Sequence, residues 1–229
     1  MNADSTNSRR KFLNSMALGA TASTLSMFAA PLMAAEALNI DVKAYQDADE
    51  WLKKIKGSRR VVYDGTTPHD GLPVLWTYAF YQTNNATGTP DDDMTAMTVL
   101  RHNAIPFALQ DSLWYQYKLG EFFGIQDNQT GKPSMRNTVY EPVNGDFPIP
   151  GVPGLKGMQE RGVMFCVCDL ALQVYSGFIA DKNQIQDKDR VYQEMKLGVL
   201  PGIQIVPSGV WALERAQNDH GCAYIFAGN

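Results

Sequence analysis

Short apolar runs separated by stretches of helical periodicity constrain this chain more than any other feature. The runs lie at 60–64 (RVVYD), 94–100 (MTAMTVL), 163–167 (VMFCV), 203–206 (IQIV) and 223–226 (AYIF). The second and third are continuously apolar or β-branched, so a strand built from either must be covered on both faces. Between the runs, apolar residues recur at helical spacing. Such segments lie at 36–57, from Asp70 to about Asn85, at 111–119, 155–161, 170–179, 187–197 and 210–217. Strands alternating with helices predict an α/β fold. The expectation is a three-layer sandwich with a mostly parallel, about five-stranded sheet.

A chain of 229 residues, 45% hydrophobic and 19% charged, fits one globular domain with a sizeable core. A net charge of -4 offers a polyanion nothing, so nucleic acid is not an expected partner. The Pro/Gly-rich stretch near 124–154 is too long for an ordinary connector. It is expected to be either a functional loop or a hairpin insertion, placed over a pocket or at a subunit contact.

Residues 1–35 read as an address, leaving 36–229 as the domain. Ser8-Arg9-Arg10-Lys11-Phe12-Leu13 precedes a mildly apolar stretch from Met16 to Ala30, and small residues near Ala35 suit a peptidase. The segment resembles a bacterial twin-arginine signal. Its apolar run is short of the ~20 residues a spanning helix needs, so a cleaved signal is favoured over an anchor. The resemblance implies that the twin-arginine translocase exports the chain already folded, to a periplasmic location. Proteins on that route often carry a metal or cofactor.

In parallel sheets ligands sit beyond the carboxyl ends of the strands. Three polar clusters are expected there: His102-Asn103, Cys168-Asp169 and Ser208-Gly209. Cys168 leaves a strand and enters a helix, whose positive end favours the reactive thiolate. Asp169 opposes this, or caps the helix. Cys166 and Cys168 lie two apart on a strand and so are expected on one face. That pair could hold a soft metal ion, with the third ligand from His102 or another chain; the alternative is inert burial of both thiols. His102 could instead stabilise a thiolate, polarise a substrate, or be a hydrogen-bonded structural residue. Arg101 could meet an anion or form a structural ion pair. The phosphate-binding glycine motifs are absent, so no nucleotide cofactor is expected.

The order of blocks is more specific than any one of them. VLRHNAIP begins at Val99, DSLWYQYKLG at Asp111, GVMFCVCDLAL at Gly162 and LPGIQIVPSGV at Leu200. RAQ at Arg215 and GCAYI at Gly221 follow. From about Arg60 to Phe226 this succession resembles the DsrE/DsrF-like superfamily, in an exported branch. The resemblance implies a three-layer sandwich, assembly into homo-oligomers, and a sulfur-relay cysteine at Cys168 carrying sulfur as a persulfide. Two functions are therefore expected. One is binding or transfer of a sulfur species at Cys168, with His102 nearby. The other is a non-catalytic homo-oligomer holding a metal or small ligand near Asn103, Asp169, Ser208 and Gly209.

Overall fold

A computed structural model describes residues 42–229. The twin-arginine segment and the start of the first expected helix lie outside the described residues. In chain order the elements begin with α1 (Val42–Leu52), β1 (Arg59–Gly65), α2 (Leu72–Ala86) and β2 (Met94–Leu100). A 3-10 helix at His102–Ala108 leads to α3 (Asp111–Tyr117), α4 (Leu119–Phe123), and a ribbon of β3 (Gln126–Asp127) and β4 (Lys132–Pro133). Then come α5 (Gly154–Glu160), β5 (Met164–Cys168), α6 (Asp169–Lys182) and α7 (Lys188–Leu197). The chain closes with β6 (Ile203–Val206), α8 (Gly209–Asn218) and β7 (Ala223–Phe226).

The five expected strands form one all-parallel sheet, in the order β6-β5-β2-β1-β7. β2 is central and buried along its whole length, as its run of apolar and β-branched residues requires. Alternate side chains feed two cores. Val61, Tyr63, Ala96, Phe165 and Val167 pack with α2, α3, α5, α6 and α7. Val62, Met97, Val99, Met164 and Cys166 pack with α1 and α8. The result is a three-layer sandwich. Among the described residues no helix is long and apolar enough to cross a membrane.

Right-handed crossovers explain the unequal layers. The path β1–β2–β5–β6 moves one way across the sheet, so its helices share a face. The return from β6 to β7, beyond β1, runs the other way and places α8 on the opposite face.

Several local expectations shift. The helix expected from Asp70 begins at Leu72, after a 3-10 turn at His69–Gly71. The helix expected over 111–119 breaks at Lys118, whose φ of 49° is left-handed. Gln110 is its N-cap, and the Asp111 carboxylate accepts the Asn137 N–H at 2.7 Å.

The 124–154 insertion is a short antiparallel ribbon followed by an ordered loop. Arg136 pins it. Its guanidinium donates to both oxygens of Asp146 at 2.7 and 2.8 Å and to Asp127 at 3.1 Å. The Asn137 amide then ties the loop to the carbonyls of Phe107 and Leu109, at 2.9 and 3.0 Å. The insertion is thereby fastened to the segment that follows β2.

Candidate functional site

β5 and β6 are neighbours, yet the helices that follow them leave to opposite faces. Such a pair is a topological switch point, the place where open parallel sheets leave a crevice. Cys168 is the last residue of β5 and stands at this point. It is also the N-cap of α6: its Sγ accepts the Ala171 N–H at 3.3 Å. The Gly209 amide, first residue of α8, also favours a negative sulfur. Two helix N-termini, one from each layer, thus converge on one thiol, and each contributes partial positive charge.

Burial opposes them. Cys168 is 5% exposed, and desolvation pushes its thiol up from the ordinary value, outweighing the Gly209 and Ala171 amides. Asp169 pushes the same way and the Arg101 guanidinium the other. The resting group is a protonated thiol in a setting arranged to receive negative charge.

Arg101, the residue after β2, is held by Asp64 of β1. Its Nε and Nη2 donate to the two carboxylate oxygens at 2.6 and 2.9 Å. The Tyr224 hydroxyl of β7 donates to Asp64 at 2.8 Å. A Cβ on Gly209 would lie 2.7 Å from Arg101 Cδ, so the absence of a side chain there lets the arginine pass close to α8. Of the two alternatives for Arg101, the structural ion pair is present. Asp64 and Tyr224 were missed, because nothing local marks a residue as the partner of a neighbouring strand end.

His102 adopts a left-handed backbone, φ 51°. Its Nδ1 shares a hydrogen bond with the Tyr175 hydroxyl of α6, which also donates to Asn103 Oδ1 at 2.6 Å. A phenol has one hydrogen. That hydrogen is shared between the Asn103 oxygen and the His102 ring. Burial, and then Arg101, lower the His102 pKa, so the ring is neutral near pH 7. Tyr175, pushed up to about 12 by burial, keeps its proton. Nothing in the sequence marks this tyrosine as a partner of His102, although it stands seven residues beyond Cys168, near two full helical turns.

The remaining candidates are dispersed. Cys166 is fully buried, packs in the α1–α8 layer, and has its thiol pushed well up by desolvation. Cys168 packs with the opposite cluster. The two thiols therefore do not share a face as expected, because Cys168 sits where the strand turns into α6. Among the described residues no three His, Cys, Asp or Glu side chains form a metal-binding group. The expected set of Cys166, Cys168 and His102 is not assembled. Asp169 does not cap α6: it accepts the Tyr192 hydroxyl at 2.7 Å and Gln173 Nε2 at 3.3 Å. Ser208 is the N-cap of α8, its Oγ accepting the Trp211 N–H at 3.2 Å.

Asn103 faces a different feature, a cleft of ≈ 310 Å³ between the turn after β1 and the insertion. His69, Asp70, Phe123, Thr138 and Asp146 also line it. The insertion thus walls a cleft at the carboxyl edge of the sheet.

Fold and site together define a three-layer α/β protein with a capped thiol at the switch point of an all-parallel sheet. No protein-family model matches the chain, and no curated protein matches it.

Proposed function

We propose that this is an exported DsrE-like protein that holds or passes on a sulfur species at Cys168. The observation that carries the reading is the convergence of the α6 and α8 amides on its Sγ, with Arg101 adding positive charge. That field suits an anionic sulfur better than the buried thiol alone. In the exchange, the Cys168 sulfur attacks the outer sulfur of a small persulfide. A new S–S bond forms and the donor's S–S bond breaks. The departing thiolate takes up the proton Cys168 gives, so no oxidant is needed. The added sulfur extends about 2 Å beyond Sγ. His102, held by Tyr175, follows the neighbouring strand β2.

Twin-arginine export to the periplasm, and assembly into a homo-oligomer, belong to the same proposal. The open edge of β7, with Tyr224, Ile225 and Phe226 exposed, supports association of copies.

Intact-mass measurement of protein exposed to a small persulfide tests the central claim. A gain of one sulfur, reversed by reductant and missing in Cys168→Ser, is expected. A wild-type mass that never changes would sink it.

A second reading, a non-catalytic small-ligand-binding protein, is favoured by the cleft beside Asn103. A metal ion is not part of this reading.

A further inference from the structure

The cleft beside Asn103 is walled in part by a hydroxyl that the insertion holds in place. Asn137 fixes the backbone around it. The Asn137 Oδ1 accepts the N–H groups of Val139 and Tyr140 at 3.1 and 3.2 Å, and its Nδ2 donates to the carbonyls of Phe107 and Leu109. Thr138, between Asn137 and Val139, is 7% exposed and lines the cleft. Its hydroxyl forms no hydrogen bond among the described residues. It is nevertheless not one of the sealed, unpartnered side-chain atoms, which are His69 Nδ1 and the Tyr81 hydroxyl. The small surface left to Thr138 therefore includes its oxygen, and it opens on the cleft. A hydroxyl set this deep without a protein partner takes its hydrogen bond from whatever fills the space in front of it.

The rest of the wall offers both donors and acceptors. Asn103 spends its Oδ1 on Tyr175 and keeps its Nδ2 as a donor. Asn128 spends its Nδ2 on the Asp146 carbonyl at 3.1 Å and keeps its Oδ1 as an acceptor. The exposed Asp70 carboxylate is a further acceptor. The wall contains no lysine or arginine, and the Asp146 carboxylate is engaged by Arg136. A charged ligand therefore meets no buried counter-charge there. Phe123 and Ile125 add an apolar wall. A volume of ≈ 310 Å³ stands at the small end of ligand pockets.

We infer that this cleft binds a neutral polyhydroxylated molecule the size of one sugar ring. Every hydroxyl of such a molecule both donates and accepts. Its hydroxyls thus match the Asn103 donor, the Asn128 and Asp70 acceptors, and the Thr138 hydroxyl, which does both. The C–H face of its ring lies against Phe123 and Ile125. This inference rests on the small-ligand reading and names the chemical class of the ligand; it is independent of sulfur at Cys168.

Calorimetric titration of the full chain with glucose, ribose and inositol, and with butylamine and sodium sulfate for comparison, tests it. Saturable one-to-one binding of a polyol is expected. Thr138→Val keeps the shape of the side chain and removes the hydroxyl, and should weaken that binding about tenfold. Because the hydroxyl bonds nothing in the protein, the variant should melt no lower than wild type. Thr138→Ser, which retains the hydroxyl, should retain binding. Polyol affinity unchanged in Thr138→Val would overturn the inference. So would a Thr138→Val variant melting well below wild type, since the hydroxyl would then have a partner within the protein. Binding of butylamine or sulfate without a polyol would overturn the neutral class and leave the small-ligand reading standing. Failure of all five probes would sink the inference and count against that reading as well.

Discussion

Asp64 and Arg101 close a two-pronged ion pair across the carboxyl ends of β1 and β2, with N···O distances of 2.6 and 2.9 Å. The carboxylate side chain is 3% exposed and the arginine 27%. The pair fixes a guanidinium beside α8, on the flank of the Cys168 sulfur. One contact thus serves the sheet edge and the electrostatics of the thiol.

Truncating the arginine should therefore have two readouts. Arg101→Ala leaves Asp64 buried with only the Tyr224 hydroxyl. Stranding one partner of a buried pair costs about 3–5 kcal/mol, and partial exposure of the arginine reduces this to about 2–4 kcal/mol. Urea unfolding checks the loss. The Cys168 thiol should also titrate higher still, seen as slower alkylation at a given pH in the variant.

Gly209→Ala separates helix propensity from packing. Alanine is better than glycine inside a helix by about 1 kcal/mol. Here its Cβ would meet Arg101 Cδ and Cβ at 2.7 and 2.8 Å and Val99 Cγ1 at 3.1 Å. Overpacking should win, with a net loss of about 1–3 kcal/mol. A variant as stable as wild type, by thermal or urea unfolding, would show that Arg101 can step aside.

Stability should fall at alkaline pH. Burial raises the thiols of Cys166, Cys168 and Cys222, the last to about 11. In the unfolded chain they ionise near pH 8.5, so above that the folded state binds more protons than the unfolded one. The stabilisation is complete below about pH 8.5 and is lost as pH rises towards the folded values. At pH 10 the loss is on the order of 1–2 kcal/mol for Cys222 alone. Tyr63 and Tyr175, pushed up to about 12, should steepen the fall above pH 10. His102 acts at the other end. Its lowered pKa makes stability decline as pH drops below about 6.5. Melting temperatures recorded from pH 5 to 10.5 should trace both limbs.

The insertion should loosen as a unit. Asp146→Ala leaves Arg136 with Asp127 alone and removes the acceptor of the Val143 N–H at 2.7 Å. A cost of about 2–4 kcal/mol is expected, concentrated in the loop. Hydrogen exchange should show faster exchange across 126–146 with β2 and β5 still protected.

The strands are legible in the sequence because burial on both faces demands apolar or β-branched residues throughout, and β2 and β5 come close to this. Placing polar residues beyond their ends needed only strand direction. Ser208 was legible only as a polar residue beyond the end of β6 and ahead of the α8 helix. That it caps the helix, while Asp169 binds Tyr192 and Gln173, was not, because a short polar side chain bonds whatever the neighbouring element offers.

Residue order was enough to settle the α/β class, the five strands and the edge of the sheet where the polar residues gather, since these follow from patterns within a dozen residues. The partnership of Asp64 with Arg101, the meeting of two helix starts at Cys168, and the walling of the cleft by the insertion came only with the folded chain. Each joins segments far apart in sequence, and their contact depends on strand order and crossover hand. Those are set by how all the layers pack at once, not by any local run of residues.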